Sequence, residues 1–263
     1  MTADSGIVLF GDSYGLPVLL EAVHDPVACV YDPRRKDMDE WALGYLHHLK
    51  ALPHPSKKFR AEFTAQLSAL KPKLGVIFSY SRILWPELLQ LFPLGVANLH
   101  GGRLPKYRGA NVLQWAIISG ESSTAMTIHY VDEGIDTGPV IDELSVPIGF
   151  DDTALTIRQK LGECAKQLLR KWIPELKNGK VKALAQSDII QMRHNQAKVW
   201  PRRTPEAGLI DWSKSDKQIR DLVRALVEPW PNAFYIDGSG KKVFVDRVLS
   251  LEEIAELRRS RKP

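Results

Sequence analysis

Asn98, His100 and Asp136 are the residues whose types and spacing best fit chemistry. Asn98 and His100 follow the apolar run Leu94 to Ala97 and lie two apart. On an extended strand such residues share a face, so an amide and an imidazole would point the same way from a buried strand's end. Asp136 lies in Asp132-Glu133-Gly134-Ile135-Asp136-Thr137-Gly138, where two glycines permit tight turns. Such a loop can bring a carboxylate against the imidazole. The trio suits acyl transfer to an amine. An amide N–H and a protonated imidazole stabilise the oxygen of a tetrahedral state. An imidazole also moves the proton that the attacking amine sheds, and a nearby carboxylate orients the ring or raises its pKa. No Ser or Cys nucleophile is needed. The plain alternative is a strand end and a turn-forming Asp, with an ordinary loop from Arg103 to Gly109 around Pro105.

Several elements must hold these residues. Gly6 to Phe10 reads as a buried strand after a polar leader, followed by Gly11-Asp12-Ser13-Tyr14-Gly15 and a helix carrying Leu16, Leu19, Leu20 and Val23. Strand, glycine turn, helix opens a doubly wound, Rossmann-like α/β domain, although the glycine spacing is not the dinucleotide fingerprint. The helix N-terminus there suits a phosphate, with Ser13 and Tyr14 as candidate substrate contacts; a simple turn is the other reading. Further strands are expected at Pro26 to Tyr31, Leu74 to Phe78, Thr124 to Val131 and Pro139 to Val146. Helices are expected around Met38 to Leu49, Lys57 to Leu70 (with Phe59, Phe63, Leu67 and Leu70 on one face), Ile83 to Leu91 and Asn111 to Ser119. In the last of these, Val112, Trp115 and Ile118 should point inward. Asp151-Asp152-Thr153 offers a cap for a long helix over Leu155 to Leu176. Asp32 to Ser56 is otherwise polar, and the residues from Val181 to Trp200 read as a connector. His129 is either a supporting residue of the site or a satisfied core histidine. A helix over Ser215 to Leu226, a hairpin around Gly238-Ser239-Gly240 and a helix from Leu251 to Arg259 form a small C-terminal appendage. The expected division is residues 1–182 as catalytic domain and 183–263 as connector and C-terminal subdomain.

The 263 residues suffice for one large domain or a domain with an appendage, and 44% apolar with 25% charged content is that of a soluble globular protein. Cys29 and Cys164 have no metal-ligand spacing and are expected to stay reduced. No apolar run approaches a membrane span, no basic-then-apolar leader opens the chain, and a cytoplasmic enzyme is expected. Net charge is +5, with Arg258, Arg259, Arg261 and Lys262 at the end. That suits anionic partners such as phosphates, or a solvated basic surface. The His and carboxylate spacings form no metal-ligand set, so no metal is expected.

Asn98-Leu99-His100, Leu104-Pro105-Lys106-Tyr107-Arg108-Gly109, Trp115-Ala116-Ile117, Gly120, Thr124, His129 and the Asp132 to Gly138 segment together closely resemble the formyltransferases that use 10-formyltetrahydrofolate. Gly208-Leu209-Ile210-Asp211-Trp212 also resembles a family element. The family includes methionyl-tRNA and glycinamide ribonucleotide formyltransferases and the N-formyltransferases of nucleotide-linked amino sugars. The resemblance implies that Asn98, His100 and Asp136 are the catalytic trio. It implies that Ser81, Arg82, Ile83, Leu84, Asp132, Gly134 and Ile135 contact the folate. This chain departs from the family at Gly102-Arg103, where Ser-Leu is usual, at Ala125, and at Asn111-Val112-Leu113. Those changes bear on the acceptor more than on the chemistry. Arg103, Lys106, Tyr107 and Arg108 are candidates for holding it, Arg103 through a phosphate. One hairpin has too few strands for a barrel of about five, so the ending resembles that of the nucleotide-sugar enzymes and not the tRNA enzymes. The implied acceptor is the amine of a nucleotide-linked sugar such as a 4-amino-4,6-dideoxyhexose, as in lipopolysaccharide O-antigen assembly. Homodimerisation through the C-terminal region is expected, and nucleic acid is not an expected partner. Methionyl-tRNA formylation, formyl hydrolysis and a non-catalytic nucleotide-binding module are the rival readings.

Overall fold

A computed structural model of the chain describes residues 6–35, 38–194 and 196–259. The polar leader before Gly6 and the basic residues Arg261 and Lys262 lie outside the described residues. In chain order the elements begin β1 (Ile7–Gly11), α1 (Gly15–Ala22), β2 (Ala28–Tyr31), α2 (Met38–Tyr45), β3 (Ala51–Pro53), α3 (Arg60–Ser68), β4 (Leu74–Phe78), α4 (Pro86–Leu89) and β5 (Val96–His100). They continue β6 (Arg108–Gly109), α5 (Val112–Ile118), β7 (Ser123–Tyr130), β8 (Val140–Pro147), α6 (Ala154–Lys177) and α7 (Gln186–Arg193). They end β9 (Val199–Trp200), α8 (Asp216–Ala225), β10 (Phe234–Ile236), β11 (Lys242–Phe244) and α9 (Leu251–Arg259).

Seven strands form one sheet in the order β3-β2-β1-β4-β5-β7-β8. β1 to β5 pair in parallel, and β7 runs antiparallel to β5. The sheet is therefore mostly parallel, with α/β connections of the Rossmann-like kind. Parallel strands are covered on both faces and so read as unbroken apolar runs; Ile7–Gly11 and Leu74–Phe78 are buried at every residue. The strand order reverses between β1 and β4, and open α/β sheets offer their ligand crevice beyond the carboxyl ends at such a point. Gly15 begins α1 because any larger residue would run its Cβ into the carbonyl of Phe78 at the end of β4. α1 thus starts hard against the end of the neighbouring strand.

Close packing divides the chain into two interleaved units. The first comprises Met1–His100, Met126–Leu144 and Gly162–Gln196. Its apolar core includes Val8, Phe10, Val30, Phe63, Leu67 and Leu88. Emptying one such site, as in Leu67→Ala, costs about 2–5 kcal/mol. The second comprises Gly101–Ala125, Ser145–Leu161 and Ala197–Pro263. Its core gathers Ile210, Ile219, Val223, Leu226, Val245 and Ile254. There Ser215 caps α8 in a reciprocal capping box with Gln218, which satisfies two otherwise unbonded backbone donors. Cys29 and Cys164 are both free thiols.

Five local expectations change. β3 falls inside the stretch expected to be polar loop; it is three residues long and ends in Pro53 on the sheet's outer edge, where a missing N–H costs no ladder bond. α7 occupies part of the expected connector. Helix α4 starts only at Pro86, so Ile83 is not a buried first turn but is 72% exposed. Pro sits at the first helical position, which leaves the preceding residues extended. In α5, Leu113, Gln114, Ala116 and Ile117 are buried with Val112, while Trp115 and Ile118 are half-buried, so the inward face is turned from the expected one. Phe59 lies before α3 in a short 3₁₀ turn and is exposed.

Candidate active site

β5 carries Asn98 and His100 to its carboxyl end on one face. β7 lies antiparallel beside it, pairing Asn98 with His129 and His100 with Thr127. Directly opposed residues bring their side chains together, and Asn98 Nδ2 is 3.1 Å from His129 Nε2. His129 Nδ1 lies 2.8 Å from the Tyr130 carbonyl, which can only accept, so Nδ1 carries a proton there. In that tautomer Nε2 accepts from Asn98. His129 is 1% exposed and His100 7% exposed, their rings meeting edge to face with centroids 6.1 Å apart.

The loop after β7 supplies the carboxylate. Asp132 Oδ1 accepts from the Gly134 N–H at 3.1 Å and the Thr137 hydroxyl at 2.6 Å, closing a turn. At Gly138 a Cβ would collide with the Tyr130 carbonyl, so only glycine permits the loop to close on the strand. Asp136 sits in the left-handed region with φ of +50°. From there Oδ2 reaches within 3.6 Å of His100 Nδ1, and Oδ1 within 3.6 Å of His129 Nε2 and 3.5 Å of Asn98 Nδ2. One carboxylate thus stands among an amide and two imidazoles, in contacts longer than ordinary hydrogen bonds. Gln186, on α7, donates through Nε2 to the carbonyls of Asp136 and Gly138, each at 2.8 Å. That buried side chain holds the loop from beneath. Nothing in the local sequence marks Gln186 for this task; it acts on a residue fifty positions away.

The first unit also contains the other strand ends. Ser81 is exposed, Arg82 half-buried, Ile83 exposed and Leu84 buried. Ile135 is 50% exposed beside Asp132 and Gly134. Two exposed branched apolar side chains, one on each loop, suit a flat ring system better than they suit water. Ser13 is exposed and Tyr14 half-buried, in a turn whose Tyr14 and Gly15 N–H groups donate to Asp12 Oδ1 at 3.0 and 2.9 Å. Those two donors are therefore engaged by the chain's own carboxylate.

Arg103, Lys106, Tyr107 and Arg108 belong to the second unit. Arg103 Nη2 donates to Ser145 Oγ at 2.9 Å. Glu121 Oε1 accepts from Lys106 Nζ at 2.6 Å and from the Tyr107 hydroxyl at 2.9 Å. Tyr107 is 3% exposed and lies parallel to Trp200 with ring centroids 5.3 Å apart. Burial, aided by Glu121, pushes its hydroxyl well above the usual tyrosine value. Arg108 lies in β6, pairs with Val199 of β9, and is half-buried.

Residues 22–173, more than half the chain, match the family described as formyl transferase. The chain belongs to the formyl transferase family. It is a formyltransferase, and residues 202–257 match that family's C-terminal domain. Solved structures share the fold over nearly its whole length. A 4-N formyltransferase from Francisella tularensis is similar with a TM-score of 0.76 at 20% identity, covering 93% of this chain and 97% of that one. A sugar N-formyltransferase from a Shewanella species is similar with a TM-score of 0.74 at 19% identity, over 93% and 97% of the two chains. An N-formyltransferase from Helicobacter canadensis, in complex with folinic acid and dTDP-3-aminofucose, is similar with a TM-score of 0.63 at 21% identity, over 83% and 78%. Among the described residues no helix is long and apolar enough to cross a membrane.

Proposed function

We propose that this enzyme transfers the formyl group of 10-formyltetrahydrofolate to the amine of a nucleotide-linked amino sugar, such as a 4-amino-4,6-dideoxyhexose. The observation that carries the reading is the approach of the Asp136 carboxylate to within 3.6 Å of both Asn98 Nδ2 and His100 Nδ1 at the end of β5. Likeness in fold to the Shewanella sugar N-formyltransferase and to the Helicobacter enzyme in complex with dTDP-3-aminofucose supports a sugar amine as acceptor.

The donor brings an electrophilic one-carbon acyl group, and the chain's residues do the rest. Ser81, Arg82, Ile83, Leu84, Asp132, Gly134 and Ile135 hold the folate, with the exposed Ile83 and Ile135 offering apolar contact to its ring. His100 accepts the proton lost by the attacking amine, directly or through a water, and Asp136 stabilises the imidazolium that results. As nitrogen bonds to the formyl carbon, an electron pair moves onto oxygen. Asn98 has one N–H committed to His129 at 3.1 Å and a second on a long 3.5 Å contact with Asp136. The second is the donor free to turn to that oxygen. Collapse of the tetrahedral state breaks the bond to the folate nitrogen, which leaves carrying the proton that His100 returns. Ser13 and Tyr14 in the first unit, and Arg103, Lys106, Tyr107 and Arg108 in the second, are each candidate contacts for the nucleotide sugar.

The same reading makes the protein a homodimer through its C-terminal region, a reading supported by Leu209, Ile236 and Phe244, which are 49%, 46% and 55% exposed. Light scattering of the purified chain tests this. The activity is tested by supplying 10-formyltetrahydrofolate with a panel of nucleotide-linked amino sugars, charged initiator tRNA, and no acceptor. Formylation of a sugar amine, lost in Asn98→Ala and His100→Ala, is the expected result. Preferential formylation of the tRNA, or formate release without any amine, would replace the proposal.

A further inference from the structure

Directly after β4 come three consecutive polar residues, Ser79, Tyr80 and Ser81, and each is tied to a different strand end. The Ser79 hydroxyl donates to Asp12 Oδ2 at 2.9 Å, and Asp12 follows β1. The Ser81 hydroxyl donates to Asp32 Oδ2 at 2.9 Å, and Asp32 follows β2. The Tyr80 hydroxyl lies 2.6 Å from His54 Nδ1, and His54 follows β3. Those strands lie side by side in the order β3-β2-β1-β4, so one short segment is fastened to every strand end on that side of β4.

The three anchors are 2%, 2% and 4% exposed for Asp12, Asp32 and His54. Burying such groups is unfavourable unless their bonds are made. Arg35 pairs with Asp12 and Arg34 with Asp32. Burial alone would raise the Asp32 carboxyl, but the bonds from Arg34 and Ser81 outweigh it and hold the group below the usual carboxylate range. Asp32 is thus an ionised acceptor. Burial, with the Arg82 guanidinium adding to it, takes His54 down to about 4, and burial holds the Tyr80 hydroxyl well above its usual value. Both members of that pair are neutral near pH 7. Ser79 has a φ of +53°, a conformation unfavourable for an L-residue, which its bond to Asp12 offsets.

Ending a strand does not require three buried partners for three successive residues. What the anchors do achieve is a fixed take-off for the next residues, which stay out of helix until Pro86 and present Ile83 to solvent. Sites gain precision when the residues behind the contact surface are themselves locked. We infer that Asp12, Asp32 and His54 are positioning residues of the formyl-donor subsite, acting through Ser79, Tyr80 and Ser81 on Arg82, Ile83 and Leu84. The inference rests on the proposed contact between that segment and the folate.

Calorimetric titration of folinic acid into the full chain, together with steady-state kinetics in which donor and acceptor are varied separately, tests it. Tyr80→Phe, Asp32→Asn and Ser79→Ala should each weaken folinic acid binding and raise the donor KM about 5- to 10-fold. The acceptor KM and the kcat at saturating donor should not change. Arg82→Ala and Ile83→Ala examine the contact itself. If those two bind folinic acid as the parent does, the donor reading of the segment is lost, and this inference with it. If they weaken binding while Tyr80→Phe, Asp32→Asn and Ser79→Ala do not, the anchoring role alone is overturned. A uniform fall in activity with both KM values unchanged would make the anchors purely structural, which also overturns it. Ser79 is only half-buried, so Ser79→Ala keeps the comparison available even where Asp32→Asn folds poorly.

Discussion

Two sets of buried polar groups in the first unit are built to opposite standards. Beyond β1, β2 and β3, Asp12, Asp32 and His54 make contacts of 2.6 to 2.9 Å with the segment after β4, and both carboxylates also have arginine partners. Beyond β5, Asp136 stands 3.5 to 3.6 Å from Asn98, His100 and His129. Short, saturated bonds make a group part of the scaffold, since breaking one leaves a buried partner unmet. Contacts of 3.5 to 3.6 Å are weaker than such bonds. The first set should therefore be felt mainly in folding and donor affinity, and the second mainly in turnover.

The sharpest separation should come from the second set. His100→Ala and Asn98→Ala are expected to lower kcat/KM by about 10²- to 10⁴-fold. In urea unfolding His100→Ala should cost less than about 1 kcal/mol, and Asn98→Ala about 1–2 kcal/mol because it strips buried His129 of its 3.1 Å donor. If His100→Ala instead unfolds as readily as a variant of the first set, the contrast fails. Next in size is Asp12→Ala, which removes the acceptor for Ser79, for the Tyr14 and Gly15 N–H groups and for Arg35. It should cost about 2–3 kcal/mol, discounted because Arg35 is half-exposed. Equilibrium unfolding checks that figure.

The pH dependence of stability probes the first set from another side. His54 is lowered from 6.5 to about 4 in the folded chain. Between those values the unfolded chain binds a proton that the folded chain does not, so stability falls as pH drops from about 6.5 to about 4. The loss should approach about 3 kcal/mol, and His54→Gln should flatten that part of the profile. An unchanged slope in the variant would remove His54 from the scaffold. The smallest effect is expected for Gln186→Ala, which frees the Asp136 and Gly138 carbonyls. A loss of about 1–2 kcal/mol, with activity reduced about tenfold through a displaced Asp136, would place Gln186 between the two sets.

The sheet was legible where physics writes in runs. Strands covered on both faces appear as Ile7-Val8-Leu9-Phe10 and Leu74-Gly75-Val76-Ile77-Phe78, and no helix period competes with them. Edge strand β3 was not legible, because three residues ending in proline carry almost no pattern. α7 was missed because its buried residues, Gln186 and Ile189, do not form an apolar stripe. At the site, the two-residue spacing of Asn98 and His100 and the glycines around Asp136 were visible in the chain. Gln186 and the Asp12, Asp32 and His54 anchors were not. Asp12, Asp32 and His54 stand among other polar or turn residues just past strand ends, and only the strand order brings them to Ser79, Ser81 and Tyr80. Gln186 meets the Asp136 loop from α7, fifty positions away.

Asp136 occupies the left-handed region, where Asp and Asn are tolerated and β-branched residues are not. A saturation library at that codon would therefore mix two selections, one for backbone geometry and one for negative charge. Val or Ile there would score as defective through misfolding, whatever the chemistry. Only Asn keeps both shape and conformation while discarding the charge, so the gap between the abundance and the activity of that one variant isolates what the carboxylate contributes.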